Sequence, residues 1–468
     1  MSKNCALYLL LSILICACEK DSDKSAEALQ LTEIREEYSA GDNTTFDFSE
    51  NAFGEASPNL SVALQDTFVI GNSFFRSNWV MAGASAQARD GLGPVMNAVS
   101  CGACHFKDGR GSPPNSNTDE LNALLFRLSI NGEDEHGRPN PDPNYGGQLN
   151  NKAIMGVEAE GTVKVSYEEI KGNFADGSVY TLRKPLYEFS NLKYGALAAD
   201  IHFSPRIAQQ IPGLGSLESI EETTILMNAD ENDANGDGIS GKPNYVWDVK
   251  NQKKSLGRFG WKANQPSIFQ QTAAAFNGDI GITTSLFPNQ NLTDYQYALY
   301  GNLMNGGSPE LPDEKLNAVV TYIQTLAVPA RRDFRNGDVL RGKQLFTQLK
   351  CNSCHIPKMK TGMNAVSDLA NQEIRPYTDL LLHDMGTELA DNRADFLATG
   401  SEWRTAPLWG IGMVQIVNKH TFLLHDGRAR TIEEAILWHD GEAKLSKEGY
   451  TSLSKTDRNM LLRFLNSL

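Results

Sequence analysis

The sequence lacks an excess of positive charge: its 43 lysine and arginine residues are outnumbered by 57 aspartates and glutamates, for a formal net charge of −14. A nucleic-acid partner needs a basic stripe, so no nucleic acid is expected among the partners. A membrane-spanning run is also lacking, since a bilayer needs about 20 apolar residues. The 468 residues, 40% of them apolar, predict a globular chain with two or three domains.

The N-terminal apolar run, ALYLLLSILI, is too short to span a bilayer. It follows Lys3 and leads into Ile15-Cys16-Ala17-Cys18, which is the layout of a secretory signal that ends in a bacterial lipobox. On this interpretation residues 1–17 are removed, Cys18 is the lipidation site and residues 18–60 form a tether. The protein then belongs to the bacterial cell envelope, anchored in a membrane on the periplasmic side or in the outer membrane. A plain cleaved signal is the alternative.

Cysteine is scarce, and this decides how the sulfur-containing motifs are interpreted. Of seven cysteines, three lie near the N-terminus, and none of the other four is left over for a structural disulfide. Those four form two Cys-x-x-Cys-His stretches: Cys101, Cys104 and His105, and Cys351, Cys354 and His355. In an exported protein this pattern is typical of haem c, bound through two thioethers with the histidine on iron. We predict two covalent haem c groups with the two histidines as proximal ligands.

Two other interpretations of these stretches are weaker. Four thiolates could hold zinc, but the pairs of such sites normally lie a few tens of residues apart, and these lie 250 apart. A redox-active dithiol of the thioredoxin type needs a βαβ context and has no need of histidine after the second cysteine. Haem attachment is therefore favoured.

Helical patterns around the two stretches predict one unit repeated. A helix with an apolar side precedes each stretch, and Gly71 and Phe75 in the first have the same spacing as Gly342 and Phe346 in the second. A second amphipathic helix closes each unit. Helix, haem anchor, loops and closing helix form the plan of a cytochrome c.

The predicted fold is mainly α, with two cytochrome c-like haem domains at residues 61–330 and 331–468. Long insertions in the first include two β-like runs, GTVKVSYEEI and SVYTLRKPLYEF, which predict a small antiparallel sheet. The loop DANGDGISG follows the start of a Ca²⁺ loop, with Asp233, Asn235 and Asp237 as candidate ligands, but Asn244 replaces the expected Glu. A Ca²⁺ site and a metal-free turn both stay open.

Several long segments resemble one protein family. DGLGPVMNAVSCGACHFKDGRG, GLGSLESI, LLLHDMG and HDGRARTIEEAILWHDGEA are similar to di-haem oxidoreductases that are often labelled thiol oxidoreductases, over residues 65–468. The resemblance implies an electron-transferring enzyme with two haems. The label itself conflicts with the cysteine chemistry, because sulfurs held in thioethers are not free for thiol–disulfide exchange.

A more distant resemblance, to bacterial di-haem cytochrome c peroxidases, implies a ligand for the second haem. In those enzymes a Met that ligates the electron-transfer haem follows an HDG motif, fourteen residues after its His. Counted from His425, that position here is His439. The resemblance thus implies His439 as the second axial ligand, with Met385 as the main rival and His383 and His420 as weaker ones.

The same resemblance implies a reactive site at the first haem. Trp261, Ser267 and Gln271 reproduce a peroxidase spacing in which the Trp lies between the haems and the Gln lines the peroxide pocket. Asp279 is a looser match for a pocket Glu. The distal His of peroxidases is replaced by Leu121, so the first iron is expected to have an open distal position.

Three functions stay open at this point. The first is a di-haem oxidoreductase that reduces a small oxidant such as hydrogen peroxide at the first haem. The second is an electron-transfer protein with both irons closed, for which His136 or His202 would have to cap the first. The third is a surface binding protein whose haems serve stability or haem supply. The expected partner is a small redox protein, and an acidic surface would suit a basic one, although acidity also serves solubility alone.

Overall fold

The structure, a computed structural model, describes residues 32–363 and 366–468. The predicted signal peptide (1–17), the predicted lipidation site Cys18 and the first part of the tether lie outside these residues. The helices are Val62–Arg76, Cys101–Cys104, Leu214–Glu218, Glu222–Leu226, Ile268–Ala275, Asp294–Tyr300, Asp313–Gln324, Gly337–Gln348, Val414–Asn418, Ile432–Trp438, Lys444–Ser452 and Lys455–Ser467. Across the described ranges, no helix combines the length and the apolar character needed to cross a membrane.

Strands are more abundant than the sequence patterns indicated. They are Thr44–Thr45, Val95–Met96, Leu124–Ser129, Gln148–Leu149, Lys152–Ala153, Thr162–Asn173, Val179–Ser190, His202–Ile207, Tyr245–Asp248, Lys253–Leu256, Val328–Pro329, Met359–Lys360, Glu373–Ile374, Leu382–Asp384 and Glu402–Arg404. The chain is 30% helical and 19% strand, so the prediction of a mainly α fold is wrong. The reason is that the insertions of the first unit, and short stretches beyond them, pair their backbones as several small sheets.

Each unit is built on one pair of packed helices. In the first unit an opening helix, Val62–Arg76, packs against a closing helix, Asp313–Gln324. In the second, the opening helix Gly337–Gln348 packs against the closing helix Lys455–Ser467. The two Cys-x-x-Cys-His stretches follow the opening helices, so the order of elements around both is the same.

A glycine lets the helices of each pair approach closely. A Cβ at Gly71 would meet the Ala318 carbonyl and come within 2.7 Å of Tyr322 Cβ. A Cβ at Gly342 would meet the Met460 carbonyl and come within 2.6 Å of Phe464 Cβ. In both cases the aromatic residue lies four positions after the carbonyl. The two opening helices share the same spacing from glycine to phenylalanine because both units use the same close helix crossing.

A long hairpin of the first unit lies against the second unit. Its strands, Thr162–Asn173 and Val179–Ser190, pair antiparallel over twelve residues each. Arg183 in the second strand donates to the carbonyls of Gly427 and Arg428 at 3.1 and 3.0 Å, next to the HDG motif. The hairpin therefore contacts both units.

Residues 32–60 fell within the predicted tether, yet in the structure they pack against both units. Glu36 is buried and pairs with Arg331 and Lys343. Strand Thr44–Thr45 lies parallel to Val328–Pro329, the link between the units. The partners of this segment are about 300 residues away in the chain, so no local pattern predicts its packing.

Candidate functional site

The first Cys-x-x-Cys-His stretch opens into a large cavity of the first unit. Cys101, Cys104 and His105 line about 1570 Å³ of empty space, part of it open to solvent. The Nδ1 of His105 lies 2.7 Å from the Gln209 carbonyl, and Phe75 of the opening helix tilts against the ring at 6.2 Å. Since Nδ1–H donates to a carbonyl, the lone pair of His105 is on Nε2, the atom that can bind a metal.

The second stretch repeats this geometry in the second unit. Its two cysteines and His355 line about 1500 Å³ of empty space. The Nδ1 of His355 lies 3.0 Å from the Tyr377 carbonyl, and Phe346 tilts against the ring at 6.3 Å.

The four thiols are partly buried and are not arranged as one metal site. Burial raises the pKa of Cys101, Cys104 and Cys351 to about 12, so these sulfurs are neutral thiols rather than thiolates. No group of potential metal ligands in the described ranges joins the two pairs. A zinc site shared by all four cysteines is therefore not assembled among the described residues.

His439 lines the second cavity together with His355. Its Nδ1 lies 2.7 Å from the Ala435 carbonyl, so here too Nε2 carries the lone pair. Burial, with a smaller contribution from the nearby His439, lowers the pKa of His355 to about 4. Two imidazoles with free Nε2 atoms thus border one cavity.

The three rivals of His439 have different surroundings. His383 is held at both nitrogens, by Asp379 at 2.8 Å and Glu442 at 2.6 Å. Burial lowers the pKa of His383, but these two carboxylates outweigh it and raise the pKa well above its ordinary value. Met385 does line the second cavity, whereas His420 borders an outer pocket next to Cys104. Met385 is the rival with access to the cavity and a free donor atom.

A potential metal cluster accompanies His383. Ligand atoms of Cys354, Asp379 and His383 lie within 4.8 Å of one another. Because the ring is positively charged and both of its nitrogens already hold carboxylates, it has no lone pair to offer. The cluster is better described as a buried ion-pair network at the rim of the second cavity.

The residues predicted to form the reactive site, Gln271 and Asp279, both line the first cavity. Gln271 lies in helix Ile268–Ala275, and Asp279 lies in the π-helical turn Phe276–Ile280 that follows. π-Helical turns are frequent at functional sites. Gln148 Nε2 donates to Asp279 Oδ1 at 2.8 Å. Burial raises the pKa of Asp279, while the hydrogen bond from Gln148 and the charge of Arg127 oppose this shift.

The first cavity holds one imidazole. Among the described residues that line it, His105 is the sole histidine, and there is no methionine or lysine. Leu121 is on the wall, where the resemblance placed the lost distal His. His136 stacks on Trp247 at 3.9 Å, and His202 bonds Asn131 at 3.0 Å; neither borders the cavity.

Trp261 lies in the walls of both cavities. The side chain is 7% exposed, and its Nε1–H donates to the Ile207 carbonyl at 2.9 Å. The Arg110 guanidinium lies over the ring at 5.4 Å. Gln210 and Arg404 also border both cavities. Trp261 is thus a wall residue common to the two cavities, and its role between two haems stays a prediction.

The loop proposed for Ca²⁺ is ordered by its own hydrogen bonds. Asp233 accepts from the Gly238 amide at 3.1 Å, Asn235 from the Asp237 amide at 2.8 Å and Asp237 from the Ile239 amide at 3.0 Å. The three side chains each accept from a loop amide, as Asp and Asn do in tight turns. Ca²⁺ binding here stays a prediction.

Sequence reasoning missed Arg127, Gln148 and Arg404. The first two are in strands Leu124–Ser129 and Gln148–Leu149, and Arg404 ends strand Glu402–Arg404. No local pattern marks them. An arginine at an inward strand position was the one available signal, and it becomes visible only when the faces of the strands are known.

One family profile matches the chain over residues 33–468, and its description is "Di-haem oxidoreductase, putative peroxidase". No curated protein matches the chain, and no solved structure does.

Proposed function

This chain belongs to the di-haem oxidoreductase family, and from this we propose that it is an exported c-type cytochrome that carries two covalent haems and reduces hydrogen peroxide at the first. The second haem would take electrons from a small redox protein and pass them on. Bound haem would supply iron that exchanges electrons one at a time and offers an open position to a small oxidant.

The main support for this proposal is the set of residues that line the first cavity. A reactive iron needs a free distal position, and the described lining of this cavity has no second side chain that commonly ligates haem iron. Its polar groups, Gln271 and Asp279, are the kind that orient peroxide and move its proton. An electron-transfer protein with two closed irons would need a ligand where Leu121 lies.

The chain's own residues can perform the proton movement. Asp279 Oδ1 is held by Gln148, which leaves Oδ2 without a hydrogen-bond partner among the described residues. The carboxylate would take the proton from one oxygen of hydrogen peroxide and return it to the other, which leaves as water. Two electrons and two further protons then complete the reduction to a second water. Gln271 would orient the peroxide by hydrogen bonding.

Transfer between the units would use Trp261. Its ring is in the wall of both cavities, and its hydrogen bond to the Ile207 carbonyl holds it there. We further propose export with a lipid anchor at Cys18, a location in the cell envelope and docking of a basic redox protein on the acidic surface. Ca²⁺ bound by Asp233, Asn235 and Asp237 would be a structural addition.

The purified holoprotein tests the proposal directly. We expect a haemochrome assay to return two haems per chain, and the oxidised spectrum to show one six-coordinate low-spin haem and one haem with an open or water-bound position. Hydrogen peroxide should be turned over with an artificial electron donor. Zinc in place of haem, or a first haem that is low-spin and reacts with peroxide no faster than a simple cytochrome c does, contradicts the proposal.

The identity of the second ligand gives a separate prediction. His439→Met is expected to raise the midpoint potential of one haem and leave the other nearly unchanged, because a thioether donates less to ferric iron than imidazole does. Spectroelectrochemistry measures both potentials. Met385→Ala is the matched control and should leave the low-spin spectrum intact. Loss of that spectrum in Met385→Ala, with His439→Ala unchanged, would assign the ligand to Met385.

A further inference from the structure

Three arginines at the two cavities, the buried Arg110 and Arg404 and the half-buried Arg127, have no ion-pair partner among the described residues. Arg110, Arg127 and Arg404 are lining residues, and none of them forms an ion pair within the described part of the chain. The contrast is with Arg206 and Arg393, which share Asp395 at 2.8 and 3.1 Å. Since an unpaired buried charge is costly, an anion bound in the cavities would stabilise Arg110 and Arg404, which form no ion pair with the described residues.

Arg404 is the arginine common to both cavities. Its guanidinium donates to the Gly260 carbonyl at 2.9 Å, the Gln209 side chain at 2.9 Å and the Thr405 carbonyl at 3.3 Å. A guanidinium has five N–H groups, so these bonds leave two of them. The negative charge of Asp379 raises the pKa of Arg404, but the Asp379 carboxylate is already paired with His383.

The charge of Arg404 is retained despite its burial. The side chain is among the buried polar residues, and burial lowers its pKa to about 10, which still leaves it protonated at neutral pH. Its three acceptors are neutral, so the hydrogen bonds fix the position of the guanidinium without compensating its charge. Gln209 also connects Arg404 to the first unit. Its side chain accepts from Arg404, and its backbone carbonyl accepts from His105.

We infer that Arg404 binds a carboxylate of each haem and is the shared counter-charge of the two cofactors. This rests on the proposed function only in requiring both haems. Every haem c carries two propionate carboxylates, which are the anions that the two cavities are expected to receive. Arg110 borders the second cavity and not the first, so its unpaired charge would serve the second haem alone.

A shared positive charge has a measurable consequence. It stabilises the reduced, less positive state of both haems, so its removal should make both easier to oxidise. For Arg404→Gln we expect the ratio of oxidised to reduced haem at a fixed potential to rise about tenfold at each site, which is a fall of about 59 mV in each midpoint potential. Arg110→Gln should shift the second haem alone.

Spectroelectrochemical titration of the holoprotein measures these shifts without reference to peroxide turnover. Arg404→Lys is the conservative control: it keeps the charge, and both potentials should stay near those of the wild type. If the role of Arg404 were only structural, Arg404→Gln would lower the unfolding temperature and leave both midpoint potentials unchanged. That result, or a shift of one haem only, overturns the inference.

Arg404→Gln has the risk of not folding, so a second measurement is needed. The propionate bending bands in the resonance Raman spectrum report hydrogen bonding at each haem. In Arg404→Lys, which loses the fork of donors, these bands should move at both haems. Unchanged bands would overturn the inference. If the haemochrome assay finds fewer than two haems, the proposed function fails first, and the two failures are thus distinguishable.

Discussion

Asp279→Asn is expected to lower kcat/KM for hydrogen peroxide by about 10²- to 10⁴-fold, the usual contribution of a general acid–base group. The amide retains the size of the side chain and its contact with Gln148, but it cannot accept a proton. Steady-state peroxide reduction with an artificial donor measures the loss. Asp66→Asn, an exposed aspartate on the outer side of the opening helix, should match the wild type.

The pH dependence gives this prediction an independent check. Asp279 must be ionised to take the proton, and its burial raises its pKa above the ordinary value for aspartate. The rate should therefore fall as the pH is lowered through this raised pKa, and the fall should be absent in Asp279→Asn. An identical acid limb in both proteins would assign the proton transfer to another group.

Gly342→Ala is expected to destabilise the second unit by about 3 kcal/mol or more, the upper end of the cost of overpacking. The added methyl would press on the Met460 carbonyl and on Phe464 Cβ, which are backbone and near-backbone atoms that cannot turn aside. Chemical denaturation of the holoprotein measures the change. Because Gly71 has the same environment in the first unit, Gly71→Ala should behave alike.

Gly337 provides the matched control for this crossing. It begins the same helix, and a Cβ there would meet no atom within 4 Å. Gly337→Ala should therefore be neutral or stabilise by about 0.4–1 kcal/mol, through the reduced freedom of the unfolded chain. Equal effects of Gly342→Ala and Gly337→Ala would contradict the close helix crossing.

Much of the candidate site was predictable because its members are neighbours in the chain. The two cysteines and the histidine of each stretch lie within five residues. The spacing of Gly71 and Phe75 was likewise readable, since it reflects the periodicity of a single helix. The position of Trp261 followed from a family resemblance, and the structure indeed places it in both cavity walls.

The fold class was not predictable to the same degree. Helices with an apolar stripe give a strong local signal, and these were recognised around both anchors. The strands Leu124–Ser129, Gln148–Leu149 and His202–Ile207 are short and mostly buried, so they show no clear alternation. Their pairing depends on partners up to about 80 residues away, which local patterns do not contain.

The sequence by itself determined the two Cys-x-x-Cys-His segments, the repeated helix that precedes each of them and the family to which the chain belongs. The tertiary structure alone decided that Gln148 and Arg127 adjoin Asp279, that carboxylates hold both nitrogens of His383 and that Arg404 borders two cavities. The physical reason is the range of the interactions. An anchor or a helical stripe is specified by residues a few positions apart, whereas burial, ion pairing and cavity walls depend on segments that meet only when the insertions fold across both units.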